Sequence, residues 1–278
     1  MIPRSLLFVP GDRPDRMEKA LGLGADALIF DLEDAVAPTS KAAARHMVAE
    51  RLAATRDHGV MLIVRINPLD SGFADDDLKI ILPVRPDAIM LPKAEGAASI
   101  AALTTMDKDM PPILPLAAET PGGLFELGSL RHCADRLAGV TWGAEDMAAA
   151  LGASANRDEQ GLFLPPYQMA RTLTLFAAAA AGVPAIDTVY PDFRDTEGLA
   201  AYARAAARDG FSGMMAIHPA QVAIINTAFS PDADQIAHAH AVLEAFRANP
   251  GAGVLQIDGK MIDAPHVKQA ERLLTRVR

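Results

Sequence analysis

The sequence has very little cysteine, no excess of positive charge and no long hydrophobic run. Cys133 is the only cysteine among 278 residues, which excludes an intrachain disulfide and a cysteine-rich metal site. The net charge of −9 argues against nucleic acid or an anionic membrane as the main partner. The apolar run near the N-terminus is too short for a signal peptide, and no run reaches membrane-spanning length, so we expect a cytoplasmic protein.

The composition favours one large folded unit built from alternating strands and helices. Hydrophobic residues make up 50% of the chain and charged residues 22%, enough for a sizeable core. Short apolar runs alternate with helical patterns, which predicts parallel strands joined by helical crossovers. The predicted strands are Leu6–Val9, Ala27–Leu32, Met61–Ile66, Ala88–Leu91, Ile113–Ala118, Leu137–Trp142, Ile186–Tyr190 and Gly213–Ile217. The predicted fold class is therefore α/β, with a (β/α)8 TIM barrel as the simplest closure and a doubly wound open sheet as the alternative.

The alternating pattern stops after Phe229. The C-terminal stretch predicts a helix over Ala233–Arg247, a β-like piece over Val254–Ile257 before an Asp-Gly turn, and a last helix over Pro265–Arg276. We therefore expect a barrel domain over residues 1–229 and a C-terminal helical appendage over residues 230–278. Because closing the barrel does not require this appendage, we expect it to cover a site or to pack on a neighbouring subunit.

Charged groups of both signs come directly after the predicted strands, at the points where the strands end. They are Arg13 after the first strand, Asp31, Glu33 and Asp34 at the end of the second, Arg65 in the third, Lys93 after the fourth, Glu119 after the fifth and Asp146 after the sixth. The predicted strand starts carry mostly glycine and surface-type residues. Since active sites of parallel barrels lie at the carboxyl ends of the strands, this asymmetry predicts a functional site there.

Glu119 and Asp146 come after neighbouring strands, and we predict that they bind one divalent metal. Burying an unpaired carboxylate is unfavourable, whereas a shared cation makes two converging acids favourable. Oxygen ligands without cysteine or paired histidine nearby favour Mg²⁺, or Mn²⁺, over Zn²⁺. The alternative is a pair of solvated loop acids or helix-capping acids.

Arg65 lies inside the apolar run I-V-R-I-N, where a charge is unfavourable unless it is paired. We interpret it as a clamp for a substrate carboxylate or a developing oxyanion, with an ion pair to Glu33 or Asp34 as the alternative. Asp31 and Glu33 share one side of their strand end, and one of them is expected to orient Arg65 or metal-bound water. Glu33 is thus a catalytic candidate and Asp34 a substrate-binding candidate.

Lys93 can be interpreted as a charge partner, a substrate contact or a Schiff-base lysine. A metal site nearby makes the Schiff-base role the least favoured of the three. His218 comes after the last predicted strand, but Pro219 beside it indicates a helix start, and we do not assign His218 as a base.

The backbone and the basic residues near the predicted site supply two further groups of candidates. Gly143, Ala144 and Glu145 form a glycine-led turn opening a helix, whose free N–H groups suit a substrate carboxylate. Four basic residues lie around Pro10-Gly11 and are expected to receive the phosphates of a nucleotide-like cofactor, with solvated surface charges as the alternative. They are Arg4, Arg13, Arg16 and Lys19. The cofactor-binding candidates are Arg4, Arg16, Lys19 and Lys93.

Seven short blocks of the sequence carry a family resemblance. They are R-S-L-L-F-V-P-G at Arg4–Gly11, F-D-L-E-D-A-V at Phe30–Val36, V-R-I-N-P at Val64–Pro68, L-P-K at Leu91–Lys93, E-T at Glu119–Thr120, G-A-E-D-M at Gly143–Met147 and G-K-M-I-D at Gly259–Asp263. Together and in this order they resemble the citrate lyase β-subunit-like family, which includes malyl-CoA and citramalyl-CoA lyases. The resemblance spans nearly the whole chain.

The resemblance implies a (β/α)8 barrel that forms a homotrimer or a multiple of trimers. It implies Mg²⁺ on Glu119 and Asp146, binding of the keto-acid fragment by Arg65, and an aspartate, Asp263, that a neighbouring subunit supplies. The alternative for Asp263 is the N-cap of the helix that Pro265 opens, and one residue can serve both roles.

The implied function is a Mg²⁺-dependent carbon–carbon lyase. It would cleave or form a 3-hydroxyacyl-CoA thioester such as citramalyl-CoA or malyl-CoA, with acetyl-CoA and a 2-oxo acid as the products of cleavage. Asp263 would exchange the proton on the thioester carbon. The alternatives are a malyl-CoA-type thioesterase and a carrier-dependent citryl lyase subunit of a citrate lyase complex.

Overall fold

A curved parallel β-sheet forms the centre of the computed structural model, which describes residues 2–54 and 59–277. Its seven strands are β1 (Ser5–Pro10), β2 (Ala27–Asp31), β3 (Met61–Arg65), β4 (Ala88–Leu91), β5 (Ile113–Pro115), β6 (Ile186–Asp187) and β7 (Gly213–Ala216). They lie in the order β5-β4-β3-β2-β1-β7-β6, and every pairing is parallel. The α/β class predicted from the alternating pattern is confirmed.

Helices come after most of the strands and cover the outside of the sheet. They are α1 (Pro14–Ala20), α2 (Lys41–Ala54), α3 (Ala74–Ile81), α4 (Gly96–Met106), α5 (Pro121–Glu126), α6 (Ala144–Leu151), α7 (Pro165–Ala181), α8 (Thr196–Asp209) and α9 (Pro219–Ala228). Among the described residues, none of the helices combines the length and the apolar character needed to cross a membrane.

The strand residues alternate between two hydrophobic clusters. On β1 and β2, Leu6 and Ile29 belong to a cluster on the inner face of the sheet, whereas Leu7 and Phe30 pack with the helices outside it. This alternation is a consequence of the two-residue period of a strand. Because the strands are parallel, their last residues lie at one end of the sheet, where the charged groups lie.

The predicted sixth strand, Leu137–Trp142, is not a regular strand. Isolated parallel bridges pair Leu137 with Ile113 and Thr141 with Leu116 on one side, and Val140 with Ala185 on the other. Pro115 and Pro184 have no N–H to donate, so regular ladders cannot continue through them. The segment nevertheless contacts both edge strands of the sheet.

The C-terminal residues form a separate layer consisting of α10 (Ala233–Ala248), β8 (Val254–Ile257), β9 (Lys260–Asp263) and α11 (Ala264–Leu274). β8 and β9 form an antiparallel hairpin, and the Asp258-Gly259 turn has φ values of 47° and 76°, as a type I′ turn requires. Both predicted helices and the β-like piece are found, whereas β9 was not predicted. A small cluster around Val242 and Ile262 forms the core of this layer.

Candidate metal and substrate site

A cavity of about 870 Å³ opens at the carboxyl ends of the strands. Pro10, Asp31 and Arg65, which end β1, β2 and β3, line it together with the start of α6. Its polar lining residues are Arg16, Lys19, Asp31, Asp34, Arg65, Glu119, Glu145, Asp146, Thr188 and His218. Most of the residues predicted for the site therefore meet at one cavity, because parallel strands bring their carboxyl ends to the same edge.

Arg65 is held in the cavity wall by two carboxylates. Its Nε and Nη2 donate to the two oxygens of Asp31 at 2.8 and 2.7 Å, and its Nη1 lies 2.7 Å from Glu33 Oε2. The ring of Phe8 lies below the guanidinium, 4.8 Å from its centre. Burial alone would lower the pKa of Arg65, but the hydrogen bonds to Asp31 and the nearby charges raise it instead. Arg65 is therefore a fixed cation that faces the cavity.

The sequence interpretation named Glu33 and Asp34 as the possible ion-pair partners of Arg65. The structure adds Asp31 as the bidentate partner, keeps Glu33, and leaves Asp34 at 3.9 Å with a side chain that is 66% exposed. Asp34 lines the cavity, in agreement with its placement among substrate-binding candidates. Asp31, one of the two acids expected to orient Arg65, is thus its bidentate partner.

Glu33 lies behind the cavity wall and not in it. Glu33 is 4% exposed, and its carboxylate lies between Arg65 and Lys93. The Nζ of Lys93 is 2.9 Å from Oε1 of Glu33. Burial raises the pKa of Glu33, and the two cations oppose that effect. The predicted catalytic role therefore needs correction: a carboxylate enclosed by two cations can position them but is not presented to a substrate.

Lys93 connects the acids of the site. Its Nζ lies 2.9 Å from Glu33 and 3.1 Å from Asp146, and its backbone N–H donates to Glu119 Oε2 at 2.8 Å. Burial would lower the pKa of this ammonium, but the hydrogen bond and charge of Glu33, with the charges of Glu119 and Asp146, raise it. A Schiff-base lysine needs the opposite shift, so the geometry identifies Lys93 as a charge partner. It does not line the cavity as the cofactor-binding prediction required.

Glu119 and Asp146 both face the cavity. Glu119 is 3% exposed, and burial raises its pKa to about 8, with the neighbouring charge of Asp146 acting in the same direction. A Cβ added at Gly143 would lie 2.7 Å from Glu119 Oε1, so only glycine leaves room for this carboxylate. Both predicted carboxylates therefore line the same cavity, and one of them, Glu119, is buried.

These carboxylates fit a small divalent cation. They are hard oxygen donors, and a cation would offset the unfavourable burial of Glu119. Across residues 2–54 and 59–277, no group of three or more His, Cys, Asp or Glu side chains is arranged to hold a metal ion. A cation at this position would therefore depend on two protein carboxylates, and water or substrate oxygens would complete its shell.

The first turn of α6 points free N–H groups at the same region. Gly143 is the N-cap, and because glycine has no side chain, no side-chain cap satisfies the first N–H groups of the helix. Ala144 and Glu145 come next in the cavity wall. Glu145 is held from the loop after α6, since Asn156 Nδ2 donates to its Oε1 at 2.8 Å. The predicted substrate-binding turn thus lies where a carboxylate could be received.

The basic residues predicted for a cofactor divide into two groups. Arg16 and Lys19 lie on α1 and line the mouth of the cavity. Arg4 precedes β1, and its guanidinium is bound to Asp26 at 2.9 and 3.0 Å and to Ser230 at 2.7 Å. The predicted role of Arg4 is corrected, because it stands at the amino end of β1, away from the cavity.

Asp263 does not line the cavity of its own chain. It is the N-cap of α11, the alternative considered from the sequence, and its side chain is 32% exposed. Its carboxylate contacts His266 Nδ1 at 2.6 Å.

The sequence interpretation missed several lining residues on the last two strands of the sheet. Thr188 and Val189 come after β6, and Met215 and Ile217 lie at the end of β7. The rule that selects positions just after each predicted strand would not have found them, because the predicted strands Ile186–Tyr190 and Gly213–Ile217 contain all four residues. His218 caps α9 through its Nδ1 and stacks on Phe193 with ring centres 4.5 Å apart, which agrees with its exclusion as a base.

A parallel α/β sheet whose carboxyl ends bring acids, an arginine and a lysine to one cavity defines this protein as an α/β enzyme. More particularly, the chain belongs to the HpcH/HpaI aldolase/citrate lyase family, whose model matches residues 4–219. The resemblance seen in the sequence blocks is therefore confirmed.

Similar proteins cover nearly the whole chain. A (3S)-malyl-CoA thioesterase of Cereibacter sphaeroides is 37% identical over 98% of this chain and 94% of its own. The mitochondrial citramalyl-CoA lyase of Rattus norvegicus is 34% identical over 98% of this chain and 85% of its own. Among solved structures, CitE from Mycobacterium tuberculosis in complex with magnesium, acetoacetate and coenzyme A is 35% identical, with a TM-score of 0.85 over 98% of this chain and 97% of that one.

Proposed function

We propose that this protein is a Mg²⁺-dependent carbon–carbon lyase. It cleaves, or in reverse forms, a 3-hydroxyacyl-CoA thioester such as citramalyl-CoA or malyl-CoA, and releases acetyl-CoA and a 2-oxo acid. The observation that carries the proposal is the convergence of buried Glu119 with Asp146 on the cavity that Arg65 lines. The similarity to a structure that contains magnesium, acetoacetate and coenzyme A adds support.

Glu119 and Asp146 are the residues that would hold the metal. When bound, the metal supplies Lewis acidity that lowers the pKa of a substrate hydroxyl. Arg65 stabilises negative charge on the oxo-acid fragment, since Asp31 and Glu33 fix its position before the substrate arrives. The N–H groups at the start of α6 orient the substrate carboxylate. Arg16 and Lys19 at the mouth of the cavity bind the phosphates of CoA.

Asp263 exchanges the proton on the thioester carbon, and a neighbouring copy supplies it. Support comes from its absence from the lining of its own cavity and from its place on an exposed hairpin. In this proposal residues 230–278 form the appendage that covers the next copy's site in a homotrimer or a multiple of trimers. The outward face of α7 supports self-association, because Met169, Leu173 and Phe176 are exposed there at successive helical turns.

The same proposal includes a closed (β/α)8 barrel over residues 1–229. Residues 137–142 would act as the eighth strand, irregular but bridged to both edges of the seven-stranded sheet. Closure would place Asp146 beside Glu119, as a shared metal requires.

A thioesterase acting on malyl-CoA is the second candidate, and the relative at 37% identity favours it. The same residues would serve both reactions, because water need only take the place of the carbon nucleophile. A third possibility is a subunit that acts on a carrier-bound citryl group. Arg16 and Lys19 favour free CoA over a carrier because they lie where CoA phosphates would enter.

One assay separates these functions. Purified protein with Mg²⁺ is incubated with malyl-CoA, citramalyl-CoA and citryl-CoA, and the oxo acid, acetyl-CoA and free CoA are measured separately. A lyase releases an oxo acid and acetyl-CoA in equal amounts. Free CoA without an oxo acid identifies a thioesterase, and no turnover of any free thioester contradicts the proposal and leaves the carrier-dependent subunit.

A further inference from the structure

The N-terminus of α11 pairs the proposed proton-exchanging residue with an imidazole. Asp263 Oδ1 lies 2.6 Å from Nδ1 of His266, and the backbone N–H of Asp263 lies 3.2 Å from the same nitrogen. The two side chains are 32% and 42% exposed, so both can be reached from outside this chain. In the proposed oligomer, the pair would face the neighbouring copy's cavity.

A histidine is not needed at the third position of a capping box in this protein. α9 and α10 begin with the same kind of capping box, and glutamine closes both, Gln221 in α9 and Gln235 in α10. In α10, the Gln235 Oε1 accepts the N–H of Asp232 at 3.0 Å, and Asp232 accepts the N–H of Gln235 at 2.7 Å. At α11 the third position carries an imidazole instead, which adds a group that can donate a proton to the carboxylate.

The short contact identifies the carboxylate oxygen that the imidazole engages. With its proton on Nδ1, His266 donates to Oδ1 of Asp263 across 2.6 Å, and a hydrogen bond of this kind to a charged carboxylate is strong and directional. In that tautomer Nδ1 does not also accept the backbone N–H of Asp263, which lies 3.2 Å away. Oδ1 is therefore engaged by the imidazole, and Oδ2 is the oxygen to which we assign proton exchange.

We propose that His266 is a positioning residue that holds Asp263 for proton exchange. The inference rests on the proposed function, in which Asp263 acts at a neighbouring copy's site. In the cleaving direction, Oδ2–H gives its proton to the enolate carbon, and the N–H of His266 stabilises the carboxylate that remains. In the condensing direction, Oδ2 takes the proton from the methyl carbon, and the electron pair of that C–H bond becomes the enolate. The imidazole proton stays on the imidazole in both directions.

The test compares His266→Gln with His266→Ala. Glutamine reproduces the capping box found in α9 and α10, so we expect His266→Gln to keep the wild-type Tm and KM but to lose about tenfold or more in kcat, as for a lost charge-assisted hydrogen bond. His266→Ala should lose the same activity and also lower Tm, because the reciprocal half of the capping box is removed. Wild-type kcat in His266→Gln would show that His266 only caps the helix and would overturn the inference.

Gln235→His in α10 is the matched control, because it places a histidine at the third position of a capping box that does not contain Asp263. It should leave kcat unchanged. Should His266→Gln lower Tm, a double-mutant cycle with Asp263→Asn still decides the question. If His266 acts through Asp263, its replacement does not reduce the residual rate of Asp263→Asn further, whereas an additive loss overturns the inference.

Asp263→Asn alone separates this inference from the proposed function. Full turnover in Asp263→Asn would contradict the proposed role of Asp263 itself. If Asp263→Asn is inactive and His266→Gln is normal, the proposed function stands and only the role of His266 fails.

Discussion

Asp31 and Arg65 stand opposite each other in register on β2 and β3, joined by two hydrogen bonds of 2.8 and 2.7 Å. Asp31 is 1% exposed, and its two oxygens also accept the backbone N–H groups of Glu33 and Ala35. One carboxylate therefore fixes both the arginine of the site and the loop after β2. The arrangement orients the guanidinium before any substrate binds, as electrostatic stabilisation of a developing charge requires.

Replacing Arg65 with lysine should therefore impair turnover more than folding. Lysine keeps the charge but cannot make the bidentate contact to Asp31, so we expect kcat/KM to fall about 100-fold or more. Arg45→Lys is the matched control, because Arg45 makes a comparable buried pair with Asp77 at 2.6 Å outside the cavity. The control should lower Tm and leave kcat/KM unchanged; equal losses of activity in both variants would assign Arg65 a purely structural role.

Gly143 is predicted to be required for metal binding. An alanine Cβ at this position would lie 2.7 Å from Glu119 Oε1, so Gly143→Ala should displace the carboxylate and weaken Mg²⁺ binding about 10- to 100-fold. Gly128→Ala is the control, since a Cβ at Gly128 meets nothing within 4 Å. Titration calorimetry with MgCl₂ measures both affinities. Unchanged affinity in Gly143→Ala would argue against Glu119 as a ligand.

The stability of the metal-free protein should fall with rising pH because of Glu119. Its pKa of about 8 in the folded protein exceeds the value of about 4.5 for an unfolded chain, so the folded state binds the extra proton between these values. The stabilisation is complete below pH 4.5 and is lost as the pH rises through 8. In EDTA, the free energy of unfolding of the wild type should therefore fall between pH 6 and pH 9 by up to ~3 kcal/mol more than that of Glu119→Gln.

Denaturant unfolding of both proteins at the two pH values measures this difference. Adding Mg²⁺ at pH 9 should restore the free energy of unfolding of the wild type and leave that of Glu119→Gln unchanged. A cation can take the place of the proton only where the carboxylate of residue 119 remains. If the free energy of unfolding of both proteins changed equally with pH in EDTA, the raised pKa of Glu119 would be contradicted.

The charged end of the sheet could be predicted because strands are regular. Counting from the predicted strand starts, Ala27 and Met61, places Asp31 opposite Arg65, and the structure has this register. Asp146 lines the same cavity as Glu119 although the segment before it, residues 137–142, makes only isolated bridges. Residues just beyond a parallel strand share an edge of the sheet whatever their separation in the chain.

Other features depend on three-dimensional relationships that local patterns do not contain. Arg4 lies six residues before Pro10, but a strand rises about 3.3 Å per residue, so the two ends of β1 are roughly 20 Å apart. Glu33 is only two residues beyond Asp31, yet it turns behind the wall and pairs with Lys93, sixty residues later. The irregular path of residues 137–142 reflects prolines in the neighbouring segments instead of its own apolar pattern.

The basic residues at the mouth of the cavity should determine affinity for the CoA part of the substrate. We expect the double replacement Arg16→Ala with Lys19→Ala to raise the KM of a CoA thioester about tenfold or more and to change kcat little, since it removes charge-assisted contacts to phosphate. Arg4→Ala is the control and should lower Tm without changing KM, because Arg4 pairs with Asp26. An equal rise in KM from Arg4→Ala would show that Arg4 also contributes to binding of CoA.

Mixing two inactive variants should restore activity if a neighbouring copy supplies Asp263. Glu119→Gln removes a metal ligand and Asp263→Asn removes the proton-exchanging group, so each homo-oligomer should be nearly inactive. Co-expressed copies, purified through two different tags, would contain sites with Glu119 from one copy and Asp263 from the next. In a cyclic trimer every mixed oligomer has one complete site of three, which predicts about a third of the wild-type rate. Mixed oligomers no more active than their parents would mean that both residues act within one chain, and α11 would then have to move toward its own cavity.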